Sequence, residues 1–188
     1  MTELVVLVDD AGRALGTADK ATVHTENTPL HQAFSAYLLD AAGQVLLTRR
    51  ALGKKTWPGV WTNSFCGHPG PGEALEDAIV RRALDELGIE ASSLADPVCI
   101  LPDYRYRAVD SSGIVENELC PVFTVQLAAG IGFEEALDPR RAEVDSWFTL
   151  PADRLIAAVD AAPGAFSPWL VGELADERLR SALLSSGR

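Results

Sequence analysis

The N-terminal part of the chain alternates apolar runs with short polar breaks. Leu4 to Val8 is an apolar run that ends at a turn-like sequence, and two further apolar runs, 34–39 and 45–48, flank the polar segment 40–43. Apolar runs of this length, bounded by aspartate and glycine, are typical of strands joined by tight turns. We therefore predict a strand at 4–8 and a β-hairpin built from the next two runs.

A helical period appears in residues 73–87. Apolar side chains recur there at intervals of three and four residues, and Gly88 follows where a helix is expected to end. The apolar positions are Leu75, Ala78, Ile79, Ala83 and Leu87. This spacing predicts an amphipathic helix.

The segment 114–127 is rich in β-branched and aromatic side chains and follows the turn-like sequence 110–113. This composition predicts one long strand that begins after a turn. Because side chains alternate along a strand, Glu116, Glu118 and Cys120 are expected to share one face.

Two prolines predict the starts of C-terminal helices. They are Pro151 and Pro168, and Ser167 is a candidate N-cap for the second helix. Strands interspersed with one strong central helix and followed by late helices predict an α/β layered fold. The length of 188 residues fits a single domain over residues 1–188.

The net charge restricts the partners that the protein can bind. Sixteen basic side chains oppose 27 acidic ones, which gives a formal charge of −11 at pH 7. Such a balance argues against non-specific binding to nucleic acid or to an anionic membrane. An anionic substrate would have to be admitted by local basic residues or by divalent metals.

Cysteine usage and hydropathy predict a cytoplasmic protein. Cys66, Cys99 and Cys120 are odd in number and show no Cys-x-x-Cys spacing, which favours a reducing compartment. The N-terminus has no basic leader, and no apolar run approaches the ~18 residues of a membrane span. We expect a soluble, unprocessed protein.

The residue spacing in 67–89 resembles the Nudix signature, a loop-helix module that binds metal-bound diphosphates. The matching positions are Gly67, Glu73, Arg81 and the run from Glu86 to Ile89. However, Arg82 stands where one glutamate of the signature is expected, and Asp85 replaces the next. A hydrolase needs these carboxylates to hold metals and activate water. The substitution therefore predicts a module that binds a diphosphate without cleaving it.

The three histidines of the chain are candidate metal ligands. His24, His31 and His68 all fall in segments that we predict to be irregular, and Glu116 and Glu118 are predicted to lie on one strand face. Three imidazoles and two carboxylates suit a divalent transition metal without identifying it. The alternative is that each histidine is an ordinary surface or core residue.

Further candidate residues surround the diphosphate module. Glu86 lies on its helix and offers the oxygen ligand that Mg²⁺ prefers. Lys20, Arg50, Lys54 and Arg82 are candidate cations for a diphosphate, although a basic cluster is more often a solvated surface. A tryptophan that opens a late helix, Trp169, could stabilise a transient cation by roughly 2 kcal/mol, although packing is the more common role of such a residue.

Several long motifs together resemble the type I isopentenyl diphosphate isomerases. The motifs are Arg49 to Lys55, Trp57 to Ser64, Cys66 to Pro69, Tyr106 to Ala108, Gly113 to Glu118 and Ala165 to Trp169. The resemblance spans about residues 4–170. It implies a Nudix-like α/β/α sandwich with a mixed central sheet, and a small-molecule substrate, isopentenyl or dimethylallyl diphosphate.

The resemblance also implies a role for each site residue. The residues implied to bind one divalent metal, Mn²⁺, Zn²⁺ or Mg²⁺, are His24, His31, His68, Glu116 and Glu118. Glu86 and the backbone carbonyl of Cys66 would serve a Mg²⁺ on the substrate diphosphate. Cys66 and Glu118 would face each other across the substrate, Tyr106 would assist proton transfer, and Trp169 would face the developing cation.

The expected reaction moves a double bond through a carbocation-like state, which requires one group to add a proton and another to remove one. We predict that Glu118 with Tyr106 protonates and that Cys66 is the base. We expect a monomer or a weak homodimer. Two alternatives remain: a Nudix pyrophosphohydrolase, which Arg82 argues against, and a non-catalytic Nudix-like binding module, which leaves the cysteine, glutamate and histidines without a purpose.

Overall fold

The structure, a computed structural model, describes residues 3–186 and contains two mixed β-sheets with helices on both faces of the larger one. The strands are β1 (Leu4–Val8), β2 (Ala14–Asp19), β3 (His31–Gln32), β4 (Phe34–Leu39), β5 (Gln44–Arg50), β6 (Trp61–Thr62), β7 (Phe65–Gly67), β8 (Val98–Leu101), β9 (Arg105–Val109), β10 (Val115–Leu119), β11 (Val122–Gln126) and β12 (Val144–Pro151). The helices are α1 (Lys20–Val23), α2 (Leu75–Leu87), α3 (Phe133–Ala136), α4 (Ala152–Ala161), α5 (Pro168–Leu174) and α6 (Glu177–Ser185).

Strand order defines the two sheets. The smaller sheet has the order β2-β1-β3-β10-β9, and the larger has the order β12-β5-β4-β11-β8, with β6 paired to β5 and β7 paired to β4. The pairs β3–β10 and β4–β11 are parallel, and the other pairs are antiparallel. The β structure is thus mixed, as predicted, but divided between two sheets rather than gathered in one.

The larger sheet separates two apolar cores. On one face, alternate side chains of β4 such as Phe34 and Leu38 pack with Ile79 and Leu87 of α2. On the other face, the intervening side chains of β4 pack with residues of α4, α5 and α6, among them Leu170. Both faces of β4 are covered in this way, so all six of its residues are buried, including the polar Ser35.

The long strand predicted over 114–127 is wrong, because the segment is two strands that belong to different sheets. The strands β10 and β11 are separated by Cys120 and Pro121. Proline has no backbone N–H to give to a ladder, so the chain leaves the smaller sheet here. The Pro121 carbonyl accepts from the Ser35 N–H of the larger sheet at 3.0 Å. Cys120 is consequently outside the strand that carries the two glutamates.

The other predicted elements are present with shifted ends. The strand at 4–8 and the hairpin of β4 and β5 are confirmed. Helix α2 begins at Leu75 rather than at residue 73, because the Glu73 carboxylate closes the preceding loop on the Gly70 N–H at 2.6 Å. It ends at Gly88, whose φ of 71° is left-handed, and a Cβ there would lie 2.6 Å from a backbone oxygen of Asp138.

The predicted C-terminal helices α4 and α5 are also confirmed, and a third, α6, follows them. Pro151 ends β12 and caps α4, while the Ser167 hydroxyl accepts from the Leu170 N–H at the start of α5. None of the helices within the described part of the chain has the length and apolar character needed to cross a bilayer.

A buried carboxyl group fastens α5 to the larger sheet. Glu173 is fully buried, and its carboxyl accepts a hydrogen bond of 2.6 Å from the Tyr37 hydroxyl of β4. Its second oxygen has no hydrogen-bond partner among the described residues. Burial raises the pKa of Glu173 to about 8, since it outweighs the hydrogen bonds from Tyr37 and Ser35 that act to lower it.

We predict that Glu173→Gln makes the protein less sensitive to alkaline pH. The folded state keeps a proton up to pH about 8, whereas the unfolded chain releases it near pH ~4.3, so the free energy of unfolding falls as pH rises between these values. Glutamine stays neutral and can still accept from Tyr37. The original chain should therefore lose free energy of unfolding as pH rises through this window, and the variant should not show this loss.

Urea unfolding at pH ~5 and ~8 measures this effect. Glu177→Gln, on the exposed surface of α6, is the control and should leave the original pH dependence intact. Parallel pH profiles for Glu173→Gln and the original chain would contradict the raised pKa.

Candidate active site

A cavity of 640 Å³ lies where the two sheets meet. It is lined by residues of β9 and β10 from the smaller sheet and of β5, β6 and β7 from the larger one. Every predicted site residue except His31 lines it: Lys20, His24, Arg50, Lys54, Cys66, His68, Arg82, Glu86, Tyr106, Glu116, Glu118 and Trp169. The fold therefore brings together residues that are up to 149 positions apart in the chain, since 169 − 20 = 149.

Three histidines and one glutamate form a cluster at one end of the cavity. The four are His24, His31, His68 and Glu118, and their potential ligand atoms all lie within 4.8 Å of one another. One oxygen of Glu118 is 3.0 Å from Nε2 of His68, 3.5 Å from Nε2 of His31 and 4.0 Å from Nε2 of His24. Mixed nitrogen and oxygen ligands in this arrangement can hold a divalent metal.

Strand pairing positions the centre of this cluster. Glu118 of β10 is in register with His31 of β3 on one side and with Tyr106 of β9 on the other. His31 therefore lies on a strand, and the prediction that all three histidines occupy irregular backbone is wrong for it. His24 caps the end of α1, and His68 follows β7 directly.

Hydrogen bonds orient two of the imidazoles. The carbonyl of Pro29 lies 2.9 Å from Nδ1 of His31, and a carbonyl can only accept, so Nδ1 donates to it and Nε2 is the nitrogen that faces the cluster. That Nε2 lies 3.2 Å from Nε2 of His68. Nε2 of His24 is buried and has no hydrogen-bond partner within residues 3–186. Imidazole nitrogens that converge in this way can bind a cation once they are deprotonated.

The pKa values of the cluster reflect burial and mutual contact. Burial acts to raise the pKa of Glu118, but the three imidazoles around its carboxylate hold it well below its usual range. Burial lowers the pKa of His68 to about 4, against the opposing effect of Glu118. Burial also acts to lower the pKa of His31, but Glu118 outweighs it and the pKa is raised.

Glu116 lies beside the cluster rather than within the group of four. One of its oxygens accepts from the Thr56 hydroxyl at 2.5 Å and the other accepts from the Tyr106 hydroxyl at 2.7 Å. Tyr106 also donates to Glu118 at 3.0 Å, so one hydroxyl bridges both carboxylates. Burial, together with these two carboxylates, raises the pKa of Tyr106 well above its usual value.

Cys66 approaches the cavity from the larger sheet. It lies in β7, is half-buried, and its sulfur contacts the side chain of Asn63. Burial and the charge of Glu173 raise the pKa of the thiol well above its usual value, while the hydrogen bond from Asn63 acts to lower it. Asn63 falls within a motif of the sequence analysis, but its contacts depend on three separate segments and were not foreseen.

Trp169 forms an aromatic wall of the cavity and is almost fully buried. The guanidinium of Arg50 lies over its ring, 5.3 Å from the centroid, which shows that a cation is accepted at this face. Trp57 meets it edge-on at 5.5 Å, and Tyr106 lies at 5.8 Å. The ring is thus fixed by neighbours on several sides.

The cations of the cavity already have carboxylate or carbonyl partners. Lys20 binds Glu3 at 2.7 Å, and Arg50 donates to the carbonyl of Thr56 at 2.9 Å. The two remaining ion pairs join Lys54 to Glu143 and Arg82 to Glu86. Neither Glu3 nor Glu143 was singled out by the sequence, since both look like ordinary surface glutamates there.

Arg81 and Glu73, which keep the outline of the Nudix signature, do not line the cavity. The Arg81 guanidinium binds the Glu73 carboxylate through two nitrogens at 2.7 and 2.8 Å and donates to the His68 carbonyl at 3.2 Å. This pair braces the loop that carries His68. Its role in the described structure is to hold the loop in place.

Comparison with known proteins identifies the fold. The NUDIX domain family matches residues 29–170. A crystal structure from Deinococcus radiodurans superposes with a TM-score of 0.67 at 19% identity over 92% of this chain and 98% of that one. The MutT protein from Methanosarcina mazei gives a TM-score of 0.60 at 17% identity, over 82% of this chain and 96% of that one. The predicted Nudix-like α/β fold is confirmed.

Sequence similarity narrows the family further. Isopentenyl-diphosphate Delta-isomerase of Corynebacterium glutamicum (strain R) is 58% identical over 184 residues, which cover 98% of this chain and 95% of that protein. The protein of the same name from Paenarthrobacter aurescens (strain TC1) is 56% identical over 169 residues, or 90% of this chain and 87% of that protein. The chain therefore belongs to the Nudix family and, within it, to the type I isopentenyl-diphosphate Delta-isomerases.

Proposed function

We propose that the protein isomerises isopentenyl diphosphate to dimethylallyl diphosphate. The observation that carries this proposal is that one cavity is lined by a thiol, Cys66, and by a carboxylate with a hydroxyl partner, Glu118 and Tyr106, on strands of different sheets. Moving a double bond within a five-carbon chain requires proton donors and acceptors at two carbons. The cavity supplies one group from each sheet.

The proton inventory balances without a redox step when the reaction starts from protonated Glu118 and the Cys66 thiolate. The substrate-free cavity favours the reverse states, so one proton has to pass from Cys66 to Glu118 before the double bond moves. Glu118, hydrogen-bonded to Tyr106, is the group that we assign to protonate the terminal methylene carbon and leave a tertiary cation. The Cys66 sulfur then takes a proton from C2, and the electrons of that C–H bond form the internal double bond. Two groups with opposite roles are sufficient, and both line the cavity.

Trp169 supports the cationic state between these two proton transfers. Its ring lies in the cavity wall and already carries the Arg50 guanidinium over one face. An aromatic face stabilises a desolvated cation by about 2 kcal/mol. A cation of this kind must also be kept from water, which favours a site enclosed by apolar and aromatic surface.

We assign one divalent cation, Mn²⁺, Zn²⁺ or Mg²⁺, to His24, His31, His68 and Glu118. The convergent imidazole nitrogens and the unpartnered buried Nε2 of His24 suit such an ion. The ion would supply positive charge that offsets the buried carboxylate and fixes its orientation. The family resemblance adds Glu116, whose oxygens in this structure bind Thr56 and Tyr106. Its contribution is tested below.

We assign the substrate diphosphate to the basic end of the cavity. The residues are Lys20, Arg50, Lys54 and Arg82, all of which line the cavity. Glu86, with the backbone carbonyl of Cys66, would hold a Mg²⁺ that accompanies the diphosphate, since Mg²⁺ takes hard oxygen ligands and keeps substrate phosphates in its shell. Arg82 occupies a hydrolytic glutamate position of the signature and instead pairs with Glu86. This pairing disfavours the pyrophosphohydrolase alternative.

We further propose a cytoplasmic location and a monomeric or weakly dimeric state. Cys66, Cys99 and Cys120 are unpaired within the described chain, which is the usual state of cysteines in a reducing compartment. Sedimentation measurements would test the oligomeric state.

We predict that the protein incorporates solvent hydrogen during the reaction. Incubation with isopentenyl diphosphate and Mg²⁺ in D₂O should yield dimethylallyl diphosphate that carries deuterium, because the added proton comes from groups that exchange with solvent. Proton NMR follows both compounds. Absence of the isomer when metal is bound would refute the proposed activity, and release of phosphate instead would favour the hydrolase alternative.

We predict that Cys66→Ala lowers kcat by at least ~10²-fold while the fold persists, because the variant lacks the assigned base. Coupled assays for dimethylallyl diphosphate and thermal melting provide the two measurements. Cys99→Ala is the matched control, since Cys99 is an exposed thiol on β8 outside the cavity. Cys66→Ala with undiminished kcat would remove Cys66 from the mechanism.

We predict that the two neighbouring glutamates differ in their effect on metal binding. Glu118→Gln should weaken metal affinity by more than ~100-fold and abolish turnover, because Glu118 contacts all three imidazoles. Glu116→Gln should weaken affinity by only about 10-fold, as a supporting residue does. Elemental analysis and calorimetric titration of chelator-treated protein measure both. Equal losses of metal affinity in the two variants would show that Glu116 binds the metal directly, as Glu118 is assigned to do.

A further inference from the structure

Asn63 is a buried side chain that the proposed mechanism does not use. It lies between β6 and β7, is fully buried, and does not line the cavity. Its nitrogen Nδ2 is close to four acceptors: the Ser35 hydroxyl at 2.9 Å, the Ala36 carbonyl at 3.1 Å, the Phe65 carbonyl at 2.9 Å and the Cys66 sulfur at 3.2 Å. This amide therefore contacts the proposed base from behind the cavity wall.

The partners of Asn63 determine which end of the amide is oxygen. The indole Nε1 of Trp169 can only donate, and it lies 3.0 Å from Oδ1. The carbonyls of Ala36 and Phe65 can only accept, and both face Nδ2. A rotation of the amide by half a turn would place like groups against each other at all three contacts. The orientation is consequently fixed by chemistry.

With this orientation, the Cys66 sulfur meets both ends of the amide. It lies 3.3 Å from Oδ1, which can accept from a thiol S–H, and 3.2 Å from Nδ2, which can donate to sulfur. The amide can therefore hydrogen-bond the sulfur in both states. Nδ2 donates to the thiolate before proton uptake, and Oδ1 accepts from the thiol afterwards. No movement of either side chain is needed between the two states.

The same amide connects Cys66 to Trp169, the residue assigned to face the cation. Oδ1 accepts from Trp169 of α5, while both ends contact Cys66 of β7. The Thr62 hydroxyl also donates to Oδ1 at 2.7 Å, which adds a third anchor from β6. A displacement of the amide would shift the sulfur and the indole together.

We infer that Asn63 is a positioning residue of the isomerase reaction, whose amide fixes the Cys66 sulfur relative to the Trp169 indole and hydrogen-bonds the sulfur in both of its protonation states. The role rests on the proposed function, in which Cys66 takes the proton from C2. Asn63 exchanges no proton with the substrate. It holds the sulfur where the C–H bond is broken.

The test uses two variants of Asn63 and one matched control. Asn63→Asp has the same shape and retains an oxygen for Trp169 and Thr62. It loses the N–H groups that face the sulfur and Ser35, and it also loses those that face the carbonyls of Ala36 and Phe65. Asn63→Ala removes all of these contacts. Ser64→Ala is the control, because Ser64 is equally buried and loses bonds to Leu38 and Leu46 without contacting sulfur or indole.

We expect Asn63→Asp to lower kcat by about 10²-fold, as a misplaced reacting group does, with KM changed by less than about threefold. Substrate deuterated at C2 should show a larger isotope effect in this variant than in the original chain, because removal of that hydrogen becomes slower. Ser64→Ala should melt at a lower temperature and keep the original kcat and isotope effect. Unchanged kcat and isotope effect in Asn63→Asp would overturn the inference. It would also be overturned if kcat fell in proportion to the melting temperature in all variants, including Ser64→Ala.

A measurement without substrate separates this inference from the proposed function. The indole N–H resonance of Trp169 should shift in Asn63→Ala, and the rate at which iodoacetamide alkylates Cys66 at fixed pH should change in Asn63→Asp, with exposed Cys99 as internal reference. Unchanged resonance and rate would overturn the positioning role whatever the turnover. Failure of the original chain to isomerise, with both readouts changed, would refute the proposed function and leave the contacts of Asn63 supported.

Discussion

Two chain segments pair with each other in both sheets and so connect the smaller sheet to the larger one. The segment of β3 and β4 lies parallel to the segment of β10 and β11, first in the smaller sheet and then in the larger one. Pro121 marks the crossing, because it ends one ladder and offers only its carbonyl, which accepts from Ser35. The backbone groups at the crossing remain paired, since Cys120 donates to the Tyr104 carbonyl at 2.9 Å. Strands from both sheets can therefore supply side chains to one cavity.

Burial then decides the chemistry of the groups that meet there. A single carboxylate, Glu118, is placed among three imidazoles, and its pKa is low because the effect of these imidazoles outweighs desolvation. The imidazoles respond unequally, since the pKa of His31 is raised and that of His68 is lowered to about 4. Across the cavity the Cys66 thiol is in the opposite situation, because burial and Glu173 both raise its pKa. The two walls therefore favour opposite protonation states, a carboxylate at Glu118 and a thiol at Cys66.

The sequence predicted local elements well and tertiary contacts poorly. Helix α2 was predictable because its apolar period is long and Gly88 ends it. The strand break at Pro121 was missed because both flanking runs are apolar and β-branched, and only the pairing partner distinguishes them. Glu116 and Glu118 are two residues apart and were predicted to share one strand face. In the structure, Thr56 hydrogen-bonds Glu116, whereas the histidines surround Glu118. Asn63 was unremarkable until three segments were packed around its amide.

The ion pairs that line the cavity have a consequence for selectivity. Lys20, Lys54 and Arg82 are each matched by a glutamate of the same chain, so the substrate-free protein contains its own counter-ions. An incoming anion has to exchange with these carboxylates, and the free energy of binding is the difference between two sets of ion pairs. A monoanion can replace one glutamate and leaves the rest of the set in place. Under the proposed assignment, a diphosphate with its own magnesium would replace several at once, so these ion pairs would favour the diphosphate over small monoanions.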